Sequence, residues 1–435
     1  MFRILTVFAF FFAALTFSAN ALDIQEVKSD KGLKILLVED HSLPIVTLSY
    51  SFKSGTSQDP EGKSGALNLM SSLLDEGAGE MDAVAFQDRL EDLATRMSFG
   101  VSRDYFRGSL RTLNENADEA FEMLRIAIFE PRFDEKPMNR IRDQILSGIR
   151  AEANNPNSKA SKALRRAVYP AGHPYIRTSN GTEESVLSVT ADDLRALKKR
   201  ILGRDNVIIS MVGAITAEEA KKRIDALFGP LREKADLVDV PKVDVKVGEK
   251  ISIDAPLPQT RYTLIGKGID RLDPEYFAAY LVNQILGGSG LSSRLSLEVR
   301  EKRGLAYGIS SGISNHDAVS LFTASVATRA DFADETLKVM RAELKRMADE
   351  GPSEEELDLA KSYTIGVYAL NFDGSNDIAS TLTSIQAAGL PSNYIEIRAD
   401  AINGVTLDQA KAAAKRLLGD GTYTLLRVGP AAKKG

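Results

Sequence analysis

The sequence predicts an α+β fold made of two similar domains of roughly 200 residues each. Two observations carry this. The same order of strands, turn and helices is written twice, and fixed points of the two copies lie a near-constant distance apart. Asp59-Pro60 matches Asp273-Pro274 at an offset of 214, and Asp118-Glu-Ala-Phe-Glu-Met-Leu-Arg125 matches Asp334-Glu-Thr-Leu-Lys-Val-Met-Arg341 at an offset of 216. Between the copies runs a charged stretch, Pro230 to Lys250, rich in Lys, Asp and Val and carrying Pro241, which reads as a linker. The expected division is therefore a leader at 1–21, a first domain at 22–229, a linker at 230–249 and a second domain at 250–435.

The elements of the first copy follow from local pattern. Leu33 to Leu37 and Ile45 to Phe52 are β-type runs, and the cluster from Lys53 to Pro60 is a turn. Ser64 then caps a helix through about Glu76, stopped by Gly77. A second helix covers Val84 to Arg96, Ser98 to Leu110 is strand-like, and Ala117 to Phe129 and Glu135 to Ala153 are amphipathic helices. In the second copy, Tyr262 to Lys267 is a strand, followed by the turn 268–274 and a helix from Glu275 to Leu286 that ends in Gly287-Gly288. Tyr307 to Ile313 and Leu321 to Ala327 are strands. Helices at about Phe332 to Glu350 and Ser353 to Tyr368 follow.

Composition narrows the function. The chain has 435 residues, 43% apolar and 26% charged, and a formal charge of −5, so it has the balance of a soluble globular protein without the basic surplus of a general nucleic-acid binder. Cysteine is absent, which removes disulfides, thiolate metal sites, Cys nucleophiles and a lipoprotein anchor together. The three histidines, His41, His173 and His316, leave no His-rich metal site in this chain alone.

The first 21 residues read as an export signal. Arg3 is the charged start, Ile4 to Phe17 is an uncharged apolar run, and Ala19-Asn20-Ala21 fits small-x-small cleavage. The run is short for a transmembrane helix, the alternative reading. Cleavage before Leu22 leaves a chain of 414 residues and charge −6. Export without cysteine points to a bacterial periplasm, with no stable membrane insertion.

Several motifs carry no chemistry. Gly62-Lys63-Ser64 lacks the earlier glycine of a phosphate-binding loop, since Ser57 stands there. Asn180-Gly-Thr182 is a glycosylation sequon only in a eukaryotic secretory route. Gly287-Gly-Ser-Gly290 is a helix stop and turn. His41, at a strand end, and His316, in a loop, read as surface residues rather than members of a triad.

Two stretches are more specific: Gly65-Ala-Leu-Asn68-Leu-Met-Ser71-Ser72-Leu-Leu-Asp-Glu-Gly77 and Ser292-Ser-Arg-Leu-Ser-Leu-Glu-Val-Arg300-Glu-Lys-Arg303-Gly304-Leu-Ala-Tyr307. With His173-Pro-Tyr175 and Gly181-Thr-Glu-Glu-Ser185, they resemble the pitrilysin/insulinase-type zinc peptidases, in the short-chain branch related to the mitochondrial processing peptidase. The resemblance spans the chain after the leader. It implies two duplicated domains, each a mixed or antiparallel sheet with helices packed on one face. Active members carry H-x-x-E-H on the first helix, where two His hold zinc and Glu acts as base toward its water. Those positions fall here on Asn68, Ser71 and Ser72, and the third ligand, a Glu in the family, falls on Gly148. Neither amide nor hydroxyl replaces imidazole and carboxylate. The resemblance therefore implies no metal in this chain and zinc in a partner.

In the second domain, Arg300 and Tyr307 match a family pair that reaches the substrate. Arg binds main-chain carbonyls, and Tyr donates to the scissile carbonyl as negative charge grows on it. Arg300 is expected in the last turn of a helix stopped by Gly304. The alternative is that it complements the helix dipole while Tyr307 is a core aromatic. The resulting expectation is a non-catalytic, substrate-binding subunit, inactive alone, of a periplasmic heteromeric zinc endopeptidase. Its partner is a paralogous H-x-x-E-H chain, its substrates are peptides, and it binds no nucleic acid. The competing readings are a structural scaffold of the envelope and a zinc peptidase in its own right.

Overall fold

The computed structural model describes residues 22–430 apart from 289, so the expected leader at 1–21 lies outside the described residues. The chain opens with β1 (Gln25–Lys28), β2 (Lys34–Glu39) and β3 (Ile45–Phe52), then the short helices α1 (Ala66–Ser71) and α2 (Ala83–Asp92). A hairpin of β4 (Arg96–Val101) and β5 (Phe106–Leu113) leads to α3 (Ala117–Phe129), α4 (Glu135–Asn154) and α5 (Pro156–Val168). Next come α6 (Glu183–Ser188), α7 (Ala191–Ile201), β6 (Val207–Gly213) and α8 (Ala217–Phe228). These strands form one mixed sheet in the order β1-β2-β6-β3-β5-β4, with β2 and β6 parallel.

The second set is β7 (Lys250–Ile253), β8 (Thr260–Lys267), α9 (Tyr276–Asn283), β9 (Ala306–His316) and β10 (Val319–Thr328). It continues with α10 (Ala333–Glu350), α11 (Glu354–Tyr368), α12 (Ser375–Ala387), α13 (Tyr394–Asn403), α14 (Leu407–Leu418) and β11 (Thr424–Val428). Its sheet runs β7-β11-β8-β10-β9, with β7 and β11 parallel and β9 at the edge. The fold is thus the expected α+β pair of mixed sheets.

Period-2 alternation sets the layers. Val46, Leu48, Tyr50 and Phe52 of β3 enter the first core beside Leu67 and Met70 of α1, Leu124 of α3 and Phe228 of α8. The alternate residues face the other way and meet α12, a helix of the second half. There Thr47 Oγ1 donates to Ser375 Oγ at 3.0 Å and Thr383 Oγ1 to Ser49 Oγ at 3.0 Å. Gln386 Nε2 donates to the Ile209 carbonyl at 2.9 Å, while Leu36, Val38 and Val212 pack on Ile378 and Leu382. The exchange is reciprocal: α5 of the first half lies on the second sheet, with Ala160 against Leu426 and Val428. Both helices have 13 residues and begin 219 positions apart, so they extend the internal repeat.

A polar and aromatic knot joins the halves. Tyr175 is fully buried; its phenol donates to Asp104 and accepts from the Ala318 amide at 3.1 Å. Tyr105 donates to Asp317 at 2.9 Å and to the Ala387 carbonyl at 2.8 Å. His173 Nε2 lies 3.0 Å from the Pro241 carbonyl, and its Nδ1 accepts from the Tyr175 amide at 3.1 Å. His316 corrects the surface reading. It is part-buried, 3.7 Å from Asp104, with its ring edge-on to Tyr175, and burial followed by nearby Arg103 lowers its pKa.

Local boundaries differ where tertiary contacts override pattern. The strand read at 98–110 is the β4–β5 hairpin, because the Ser102 amide closes a turn on the Tyr105 carbonyl at 2.8 Å. The helix read from Ser64 to Glu76 keeps only the six residues of α1. Its cap is Asp59, not Ser64: the carboxylate accepts from the Gly65 and Leu67 amides, each at 2.8 Å. Burial pushes the Asp59 carboxyl up to about 6, against the pull of those amides and of Arg177 and Arg200.

Asp59→Ala strands two buried amides, so urea denaturation is expected to show a loss of about 1–3 kcal/mol. Because the native pKa lies above the unfolded value, the wild-type carboxyl contributes less as pH rises from about 4 through 6. The Asp59→Ala penalty is therefore larger at pH 5 than at pH 7, and an equal penalty at both refutes the assignment.

Candidate substrate site and degenerate metal centre

The positions matched to the zinc motif share one face of α1, and the structure shows what holds them. Asn68 donates its amide to Asn180 Oδ1 at 3.2 Å, and Asn180 donates to Glu152 Oε1 at 3.1 Å. Ser71 and Ser72 turn their hydroxyls back to the Asn68 carbonyl at 2.9 and 3.0 Å, the local bond that serine makes inside a helix. Gly148 lies on α4, which packs against α1, and a Cβ built there meets open space. There is room for a ligand side chain and none is supplied. Among the described residues no group of three His, Cys, Asp or Glu is placed to hold a metal ion. Zinc does not fit this donor set.

The isolated chain is accordingly expected to bind no stoichiometric zinc at neutral pH. Asn68→His with Ser71→Glu and Ser72→His still leaves Gly148 without a ligand, so the triple variant is expected to give no peptidase alone. Elemental analysis of tag-free protein checks the first point, and one tightly held zinc per chain overturns it.

The neighbouring motifs are structural. Gly181 has φ +74°, and a Cβ there would lie 2.0 Å from the Ser64 carbonyl oxygen. Thr182 and Ser185 form the capping box of α6, and Ser185 Oγ donates to the Ser64 carbonyl at 2.7 Å. This segment fastens the approach to α1. His173-Pro-Tyr175 belongs to the knot between the halves.

The long second motif divides into fastened residues and two others. Arg294 forks onto Glu356 at 2.6 and 2.7 Å and also reaches the Gly351 carbonyl. Glu298 is shared by Lys302 and Arg303. Arg300 has only a 3.4 Å approach to Glu301, and its guanidinium sits 4.8 Å from the centre of the Tyr307 ring. Tyr307 is 82% exposed, so it is not a core aromatic. Residues 296–301 form a π-type turn rather than an α-helix, ended by Gly304 at φ +60°. Tyr307 follows at the start of edge strand β9. The structure thus brings Arg300 and Tyr307 together on an open surface.

One cluster was not read from the sequence. Arg103, Arg165 and Arg177 converge beside Asn180 and Glu152 around a polar cleft of about 370 Å³. The signal that could have found it is the stripe Asn157, Ser161, Arg165 at helical spacing.

Comparison with known proteins places this architecture. Residues 34–178 match the family model described as insulinase (peptidase family M16), and residues 188–363 match the model described as peptidase M16 inactive domain. A crystal structure of a peptidase M16 inactive domain from Pseudomonas fluorescens superposes with a TM-score of 0.88 at 31% identity, over 95% of this chain and 99% of that one. The chain belongs to the M16 peptidase family. Other proteins of the family are similar along most of their length. A non-peptidase homolog YmxG of Helicobacter pylori is 24% identical over 90% of both chains. A probable mitochondrial-processing peptidase subunit beta of Arabidopsis thaliana is 21% identical over 92% of this M16 chain and 77% of its own. No described helix of this M16 chain is long and apolar enough to cross a membrane.

Proposed function

We propose that this chain is the non-catalytic, peptide-binding subunit of a periplasmic heteromeric zinc endopeptidase. It pairs with a paralogous M16 chain that carries H-x-x-E-H and the zinc, while its own α1 has none of the required donors. The observation that carries the reading is the contrast between its two candidate sites. The zinc positions are tied into Asn68, Asn180 and Glu152, whereas Tyr307 is exposed on an edge strand with Arg300 against its ring. Arg300 offers a fork to the carbonyls of an extended peptide, and the Tyr307 phenol offers one donor to the carbonyl under attack. The edge position of β9, beside Tyr307, suits a peptide bound by strand addition.

Co-expression with a paralogous H-x-x-E-H chain tests the proposal. Each chain alone is expected to be nearly inert on peptides and the pair active. Full activity of the partner alone overturns it.

A further inference from the structure

We propose that the cleft beside the degenerate zinc positions is a receptor for an acidic stretch of the bound peptide, whose carboxylates are held by Arg103, Arg165 and Arg177. The inference rests on the reading of the chain as a peptide-binding subunit. Helix α5 has two faces. Ala160, Leu164 and Val168 turn to the second sheet and its flank, while Asn157, Ser161 and Arg165, also four residues apart, line the cleft. Arg103 arrives from the β4–β5 turn and Arg177 from the loop after Tyr175, so three separate elements aim guanidinium groups at one place.

Arg177 lies near enough to Asp59, and Arg165 to Glu152, to feel their charge, but neither is paired. Among the described residues no carboxylate lies within ion-pair distance of any of the three. Arg103 stacks 4.6 Å over the Tyr175 ring, and Arg177 donates to the Asp59 main-chain carbonyl at 2.9 Å. Arg165 Nε is buried and has no hydrogen-bond partner among the described residues. Burial, with Arg103 close by, lowers the Arg165 pKa. A half-buried guanidinium without an acceptor carries a desolvation cost that an incoming carboxylate removes. The only acid in the cleft is Glu152, which is already engaged by Asn180.

The positive surface continues into an adjoining cleft of about 610 Å³ that shares Arg165, Arg177 and Glu152 and adds Lys159, Lys162 and Arg166 beside Glu183, which Arg150 pairs. This surplus stands in a chain whose net charge is −5. Lys159 to Arg166 spans about 10 Å along α5 at 1.5 Å per residue. An extended peptide covers that length in about three residues. A row of spaced cations therefore fits carboxylates two or three residues apart, whereas one compact phosphate would engage a single point of it.

The test uses the full chain without partner. A fluorescent peptide with Glu at alternate positions is compared with its Gln counterpart by anisotropy. The Glu peptide is expected to bind at least about tenfold more tightly, with the advantage shrinking at high salt. Arg165→Gln, and separately Lys159→Gln with Lys162→Gln, should each bring the Glu peptide toward the affinity of the Gln peptide without lowering Tm. A structural role for Arg165 would lower Tm instead. Equal binding of the two peptides by the wild-type chain overturns the acidic receptor and leaves the subunit reading intact. Binding of inorganic phosphate that Arg165→Gln abolishes, without Glu-over-Gln preference, reassigns the cleft to a free oxyanion and also overturns it. Failure of both peptides to bind, with an inert co-expressed pair, removes the peptide-binding reading itself.

Discussion

In the assembled pair, Tyr307→Phe is expected to lower kcat about 100- to 1,000-fold, the usual effect of losing one donor to a developing oxyanion, or about 2.7–4 kcal/mol. The substitution deletes one hydroxyl and keeps the ring. Tyr307 is 82% exposed and its phenol makes no hydrogen bond within the described residues, so the fold does not depend on that hydroxyl. The ring still offers its face to Arg300 at 4.8 Å, so the local arrangement survives. Assembly and KM should change little, because the interaction matters only as charge builds in the transition state. Arg300→Ala should act differently and raise KM, since contacts to peptide carbonyls exist before any bond breaks. A Tyr307→Phe pair that cleaves at the parental rate removes the catalytic role and favours the scaffold reading.

Tyr175→Ala is expected to cost about 3–5 kcal/mol, the range for emptying a large aromatic site in a core. The side chain is fully buried where the halves meet, beneath Arg103 and edge-on to Tyr169 and His173. Tyr175→Phe should cost about 1–3 kcal/mol, because Asp104 loses a donor and the Ala318 amide an acceptor in a buried place. Denaturant unfolding distinguishes the outcomes. If this knot couples the halves, Tyr175→Ala splits one transition into two. An unchanged single transition would place the coupling elsewhere.

Much of the fold was legible because amphipathic periodicity is local. The helices at 117–129 and 333–350 and the strand at 45–52 were readable to within a residue or so. The internal repeat was visible because Asp-Pro turns and acidic helix starts survive divergence. What escaped was set at long range. The α5 stripe was unassigned because its apolar positions match β7 and β11 of the other half, the latter more than 250 residues away in sequence. The cap of α1 escaped because Asp59 lies six residues before Gly65, outside any capping spacing. At the candidate sites, the loss of zinc donors could be read from residue types alone. The placement of Arg300 beside an exposed Tyr307 could not, since it depends on a π-type turn and a left-handed Gly304. Tyr175 stood in a recognisable motif, yet only the structure shows that it serves the junction.

The crossed helices also bear on the order of synthesis. The outer face of β2, β3 and β6 is finished by residue 213, but the helix that covers it begins at 375, about 160 residues later. At 5–20 residues per second, the ribosome needs roughly 8–30 s to make that stretch. Until then Leu36, Val38 and Val212, flanked by Leu22 and Ile24, lack the cover of Ile378 and Leu382. A nascent first half is thus a sticky, unfinished sheet, and a gene split at the linker would yield two fragments that each lack a helix made by the other. Each copy of the internal repeat thus completes the other's sheet.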